Sequence, residues 1–137
     1  MSDLHSPQAA PTPVSDVRSL AIVCYVLFLL AFTNGLTAIV GVVLAHIKRG
    51  ETLGTIWESH FANLIHVFWL GVVFWVVFIC AGLAWLAGSW HAVIMDDFPL
   101  PIFAMPLLGL AFLGYVVWYL YRVVRGLLRA LESKAYA

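Results

Sequence analysis

The stretch that decides the fold lies in the middle of the chain, where Ser59–Met95 reads SHFANLIHVFWLGVVFWVVFICAGLAWLAGSWHAVIM, without Asp, Glu, Lys or Arg. Two further runs share this property, Ser19–Ile47 and Phe98–Tyr121. About 20 mostly apolar residues are enough for a helix to cross the hydrocarbon core of a bilayer. Each run can therefore span a membrane at least once, and we predict an all-α integral membrane protein.

The composition of the whole chain supports lipid as its solvent. The 137 residues are 64% hydrophobic and only 10% charged, whereas soluble domains carry about 25% charged residues. The formal net charge is zero, so no basic excess points to nucleic acid. The length suits one domain.

The first residues differ from the rest of the chain. Pro7, Pro11 and Pro13 stand among Ser, Ala and Asp without an apolar period, and the first base, Arg18, comes too late for a secretory signal peptide. We predict a disordered cytoplasmic tail over residues 1–16 and one helical transmembrane domain over residues 17–134.

The first apolar run is interrupted at Thr33-Asn34-Gly35, and Asn-Gly is a strong turn signal. One interpretation is a short hairpin of helices at about 19–32 and 36–47. Each arm would be only about 20 Å long at 1.5 Å per residue. The alternative is a single long helix, kinked near Gly35, which would give three membrane helices instead of four.

Basic residues favour the hairpin. Lys48-Arg49 and the bases of the last helix belong in the cytoplasm by the positive-inside rule. A hairpin places Arg18 on that side as well, whereas a single crossing places it outside. We therefore predict four transmembrane helices with a cytoplasmic C-terminus.

The later segments are predicted at about 57–87 and 101–133. The first is longer than a bilayer needs, so it should tilt or project into the cytoplasm. The loop Gly88–Pro101 carries Asp96-Asp97 and no base, which suits the periplasmic side.

Polar residues gather where the third helix should enter the membrane. Ser59, Asn63 and His66 share one helical face at i, i+4 and i+7. They either form a proton-handling or ligand-binding vestibule or lie at the headgroup level, where polar groups are tolerated. The full candidate set, the predicted polar cluster, is Glu58, Ser59, His60, Asn63, His66, Arg122 and Arg125.

Neither the histidines nor the cysteines have the spacing of a metal site. His60 and His66 are six residues apart, not four, and His46 could join them only through tertiary structure. Cys24 and Cys80 lie in apolar runs without a C-x-x-C motif, as small buried side chains do. We predict no cofactor and no metal.

Arginines form a stripe on the last helix, at Arg122, Arg125 and Arg129. They set the topology, and they suit anionic lipid head groups or an acidic patch on a partner. Pairing of Arg122 with Glu58 would bridge two helices.

Small residues recur every four positions at Thr37, Gly41 and Ala45. In lipid, helices associate through close packing at such faces. This candidate packing face serves either contacts within the protein or contacts with a second copy.

Short motifs give the chain a family resemblance. Glu58-Ser59-His60-Phe61 and Tyr121-Arg122-Val123-Val124-Arg125-Gly126-Leu127 resemble a family of small, uncharacterised bacterial inner-membrane proteins. That family carries a domain of unknown function similar to the chloroplast inner-envelope translocon subunit Tic-twenty. The likeness extends over roughly residues 17–130 and implies four helices with both ends cytoplasmic, but no activity.

Two functions remain open at this point. No acid or base lies in the middle of a span, where pumps and ion-coupled transporters place them, and we expect no enzyme. The first expectation is a scaffold or accessory subunit that forms homo-oligomers or joins a larger membrane complex. The alternative is a small channel or carrier related to protein-import translocon subunits, in which His66 would matter for flux.

Overall fold

The computed structural model describes residues 14–95 and 104–136, and these residues form four α-helices with no strand among them. The helices are α1 (Val14–Asn34), α2 (Leu36–Arg49), α3 (Ile56–Met95) and α4 (Ala104–Leu131). A short 3-10 turn, Gly50–Thr52, follows α2. The all-α prediction is confirmed. Residues 1–13 of the predicted tail, and Asp96-Asp97 of the predicted loop, lie outside the described residues. Residues 14–16, predicted to belong to the disordered tail, form the first turn of α1 instead.

Gly35 separates the first two helices with a φ of 61°, a conformation that residues with a Cβ rarely adopt. Its N–H still bonds Ala31 O at 2.8 Å, so the break takes a single residue. α2 then folds back along α1: a Cβ on Gly41 would lie 2.9 Å from the ring of Phe28 and 3.6 Å from Cys24 O. Close approach of the two helices therefore depends on a glycine.

The third helix is longer than the sequence pattern predicted. It continues to Met95 instead of ending near Ala87, so residues 88–95 of the predicted loop are helical. Gly88 and Ser89 do not stop it. The Ser89 hydroxyl donates to Trp85 O one turn back at 2.8 Å, a bond that a helix accommodates, and mostly apolar residues follow. The forty residues of α3 extend about 60 Å at 1.5 Å per residue.

The core lies where all four helices meet. It is built around large side chains that are fully buried, namely Tyr25, Phe28, Phe61, Leu64, Val67 and Val123. Further along, α3 and α4 pack as a pair through aromatic rings; Phe74 stacks on Tyr115 with centroids 3.9 Å apart, and Phe78 lies 5.8 Å from Phe112.

All seven Lys and Arg residues of the chain lie at one end of this bundle. Arg18 on α1 donates to Leu131 O of α4 at 2.6 Å, and His60 on α3 bonds Lys134 O beyond the end of α4. α2 ends in Lys48 and Arg49 and leads through a short turn into α3. We call this end of the molecule the basic end.

Candidate functional site

Near the basic end, a chain of hydrogen bonds joins α1, α3 and α4 through the core. Arg122 Nη1 donates to Asn63 Oδ1 at 2.7 Å. Asn63 Nδ2 donates to the Tyr25 hydroxyl at 3.4 Å. The same hydroxyl lies 3.2 Å from His60 Nδ1, and His60 Nε2 lies 2.8 Å from Lys134 O. Three of these four side chains, those of Tyr25, His60 and Asn63, are buried.

The direction of this chain follows from its end groups. A carbonyl oxygen only accepts, so the bond to Lys134 O places the proton of neutral His60 on Nε2. His60 Nδ1 is then an acceptor, and the Tyr25 hydroxyl donates to it. Arg122 Nη1, Asn63 Nδ2 and the Tyr25 hydroxyl thus each donate to the next side chain along the series.

Close helix packing brings Tyr25 to this position. A Cβ on Gly126 of α4 would collide with the Tyr25 ring, so the Arg-Gly pair of the last helix leaves the space that the ring fills. The His60 ring packs edge-on against the Tyr25 ring, with the two ring centroids 5.8 Å apart. The Trp57 ring centroid in turn lies 5.6 Å from that of His60. Tyr25 is therefore fixed by both packing and hydrogen bonds.

The residues after α4 cover the end of this chain of bonds. We call Glu132–Tyr136 the strap. Its Lys134 carbonyl takes the His60 bond, its Ala135 carbonyl accepts from Arg129 at 3.0 Å, and its Tyr136 N–H donates to Ser59 Oγ at 3.0 Å. The strap thus links α3 and α4 at the basic end.

Four members of the predicted polar cluster meet here: Ser59, His60, Asn63 and Arg122. The other three lie apart. Glu58 accepts from Gly54 N–H at 2.9 Å at the start of its own helix, His66 is exposed, and Arg125 donates to the Tyr121 hydroxyl at 2.8 Å. The predicted face of Ser59, Asn63 and His66 therefore does not line a common vestibule.

The predicted bridge between Glu58 and Arg122 is wrong. Arg122 donates to Asn63, and its guanidinium lies 5.7 Å from the ring centroids of both Trp118 and Tyr136. Glu58 instead satisfies a backbone N–H at the start of α3, where a carboxylate is favourable. The arginine reaches deeper into the bundle than the helix spacing alone indicated.

The arginine stripe turns largely toward the protein. Arg122 and Arg129 donate to Asn63 and to the strap. Arg125 lies over the Tyr121 ring at 5.7 Å. Together with Arg129 it lines an open face that also includes Tyr121, Val124, Leu128 and Glu132. All three arginines are partly exposed.

The candidate packing face of α2 lies against its neighbours. Gly41 and Ala45 are buried, and Gly41 contacts Phe28 and Cys24 of α1. The Thr37 hydroxyl is buried without a hydrogen-bond partner. At Gly41 this face packs within the chain.

Histidines and cysteines do not converge in the described part of the chain. No three side chains of His, Cys, Asp or Glu within residues 14–95 and 104–136 form a group that could hold a metal ion. His46 Nδ1 bonds Val42 O one turn earlier at 3.0 Å. Cys24 is buried and Cys80 is exposed, each as a free thiol.

An apolar crevice of about 520 Å³ opens beside the turn between α1 and α2. Gly35 and Ala38 form one wall, Val72 and Trp75 of α3 another, and Tyr115 of α4 closes it. The turn therefore reaches α3 near the middle of that helix.

Sequence reasoning missed Tyr25 and Tyr136, which are central to this site. Tyr25 had a usable signal: a tyrosine inside an apolar run needs a partner for its hydroxyl. Tyr136 had a weaker one, a lone aromatic residue in an otherwise polar and small segment, Glu132–Ala137.

Comparison with protein-family models, with curated proteins and with solved structures gave no match. The resemblance expected from the Ser-His-Phe and Arg-Gly motifs stays a prediction.

Proposed function

We propose that this chain is a multi-pass protein of the bacterial inner membrane that acts as a non-enzymatic scaffold or accessory subunit. The observation that carries the proposal is the division of its surface. Its polar side chains at the basic end bind one another, while the long faces of α3 and α4 offer apolar surface to their surroundings.

Apolar exposure supports the membrane location. α3 and α4 are long and apolar enough to cross a membrane, and only 11% of the most apolar window of each is buried inside the protein. The core helix of a soluble protein would be mostly buried. Soluble monomers rarely expose apolar patches above a few hundred Å², whereas here large exposed side chains follow one another, among them Trp69, Val73, Val77, Leu83 and Trp90.

The position of the bases supports a cytoplasmic location for the start of α1 and the end of α4. Arg18 and Leu131 are hydrogen-bonded, so the start of α1 and the end of α4 lie on one side, with every other base. That distribution agrees with the positive-inside rule. We propose that α1 and α2 enter as a short re-entrant hairpin, because their turn reaches only the middle of α3.

The polar side chains are hydrogen-bonded to one another inside the bundle, which favours a scaffold over a channel. Asn63 and His60 are bonded inside the bundle, and His66 lies apart from them on the surface. The crevice beside Gly35 is walled by apolar and aromatic side chains. A conducting path for ions would need a continuous line of polar groups or water.

Lipid head groups fit this proposal on the outer face of α4. Arg122 donates into the bundle, whereas Arg125 and Arg129 both line the open face of α4, so we propose these two arginines as the contact with anionic head groups. Such a contact would orient the basic end at the cytoplasmic surface.

Purification at native expression levels in a mild detergent tests the proposal. We expect a homo-oligomer, or one set of partner proteins that mass spectrometry finds in every preparation. A partner-free monomer that conducts ions in liposomes, with flux reduced in His66→Leu, would overturn it in favour of the channel. His46→Leu serves as the matched control.

A further inference from the structure

The strap follows a defined turn at the end of α4. Lys134 N–H donates to Arg129 O at 3.0 Å and Ser133 N–H donates to Ala130 O at 3.2 Å, which is the bonding pattern of a Schellman cap. Ser133 holds the left-handed position with a φ of 54°, where glycine is usual. This turn reverses the chain and directs the strap across the ends of α3 and α4.

The helices hold the strap mainly through its backbone. His60 and Arg129 donate to the carbonyls of Lys134 and Ala135, and Ser59 accepts from Tyr136 N–H. Every peptide carries these carbonyl and N–H groups, so the bonds that hold the strap do not depend on its side chains.

One strap side chain is also recognised. The Tyr136 ring lies 5.7 Å from the Arg122 guanidinium and 6.2 Å from the His60 ring, at an angle of 72°. The Lys134 side chain, by contrast, is 70% exposed and pairs with Glu132 at 2.8 Å. This hydrogen bond and the charge of Lys134 lower the pKa of the Glu132 carboxyl. The site therefore recognises the peptide backbone of the strap and one aromatic side chain.

We propose that Ser59, His60, Arg122 and Arg129 form a docking groove for an extended peptide segment with an aromatic residue, supplied by a partner protein. The strap occupies this groove within the chain and competes with the partner. This inference deepens the scaffold proposal, because it names the kind of segment that the scaffold binds.

A partner peptide can displace the strap. Ser133 lies at the hinge with a Cβ in the left-handed conformation, which is strained for residues other than glycine. The strap competes at an effective concentration in the millimolar range, as short tethers do. A peptide should therefore bind weakly to the intact chain and more tightly once the strap is weakened.

The test uses the full chain in detergent and a fluorescent, C-terminally amidated peptide with the sequence ESKAYA of residues 132–137. We expect Tyr136→Ala to bind this peptide about tenfold more tightly than the wild-type chain, because the tethered competitor is weakened. Tyr121→Ala, which alters an exposed tyrosine outside the groove, should bind like wild type. The control peptide ESKAAA, which lacks the tyrosine, should bind Tyr136→Ala no more tightly than it binds the wild-type chain.

A second release variant keeps the test independent of one substitution. Lys134→Pro removes the N–H that closes the turn at Arg129 O, and we expect the same gain in peptide affinity. If both variants keep the wild-type unfolding temperature and bind ESKAYA no better than ESKAAA, the groove proposal is wrong. Oligomers or recurrent partners could still be recovered in that case, so the two proposals fail separately.

Discussion

At the scale of single residues, the Tyr25 side chain is constrained by burial, by packing and by two hydrogen bonds. It is fully buried, donates to His60, accepts from Asn63 and fills the space beside Gly126. Buried polar groups are costly when unpaired, so the loss of one atom should have a measurable effect.

Tyr25→Phe tests the hydrogen-bonded chain. The change leaves His60 Nδ1 and Asn63 Nδ2 without their partner, and we expect a loss of about 1–3 kcal/mol in unfolding free energy. Thermal unfolding in detergent measures it. The control Tyr121→Phe removes an exposed hydroxyl that accepts from Arg125 and should change stability far less; equal effects of the two variants would contradict this account.

Gly126→Ala tests the close approach of α4 to Tyr25. The added Cβ collides with a ring that hydrogen bonds hold in place, and overpacking of this kind costs about 1–3 kcal/mol. Gly109→Ala on the same helix meets no atom within 4 Å and is the matched control. The unfolding temperature should fall for Gly126→Ala only. A similar fall for Gly109→Ala would show that the effect comes from alanine in this helix and not from the contact with Tyr25.

At the scale of elements, the sequence located the break between the first two helices, but neither the start of α1 nor the end of α3. α1 begins at Val14 instead of near residue 19, and it ends at Asn34, so the break falls on Gly35 of the predicted Asn-Gly turn. Gly88 and Ser89 looked like the start of a loop, but a serine that bonds one turn back does not interrupt a helix. Local composition therefore located the turn at Gly35, whose conformation requires a glycine, but wrongly predicted a break at Gly88-Ser89.

Gly35→Ala tests the turn between α1 and α2. A φ of 61° disfavours any residue with a Cβ by roughly 1–2 kcal/mol, and the variant should unfold at a lower temperature. Gly50→Ala is the control, because Gly50 follows α2 with a helical φ of −63°. If the two alanine variants had the same unfolding temperature, the conformation of Gly35 would not be what shapes the turn.

At the scale of the whole molecule, charge and hydrophobicity divide the structure into a basic end and long apolar faces. The division was predictable, because it depends on counts and positions along the chain. The pairing of Tyr25 with His60 was not, since it depends on how α1 and α3 lie against each other across thirty-five residues of sequence. The strap escaped prediction because Ser133 adopts a conformation that normally signals glycine.

The most direct test of the account is the side of the membrane on which the ends of α1, α2 and α4 lie. In a Cys80→Ser background, single cysteines replace Ser15, Glu51 and Glu132, which are all exposed, and Asp97. A membrane-impermeant maleimide is added to right-side-out and inverted vesicles. We predict that positions 15, 51 and 132 label only in inverted vesicles and position 97 only in right-side-out vesicles. Labelling of positions 15 and 51 from opposite sides would contradict the hairpin and with it the gathering of all bases at one end.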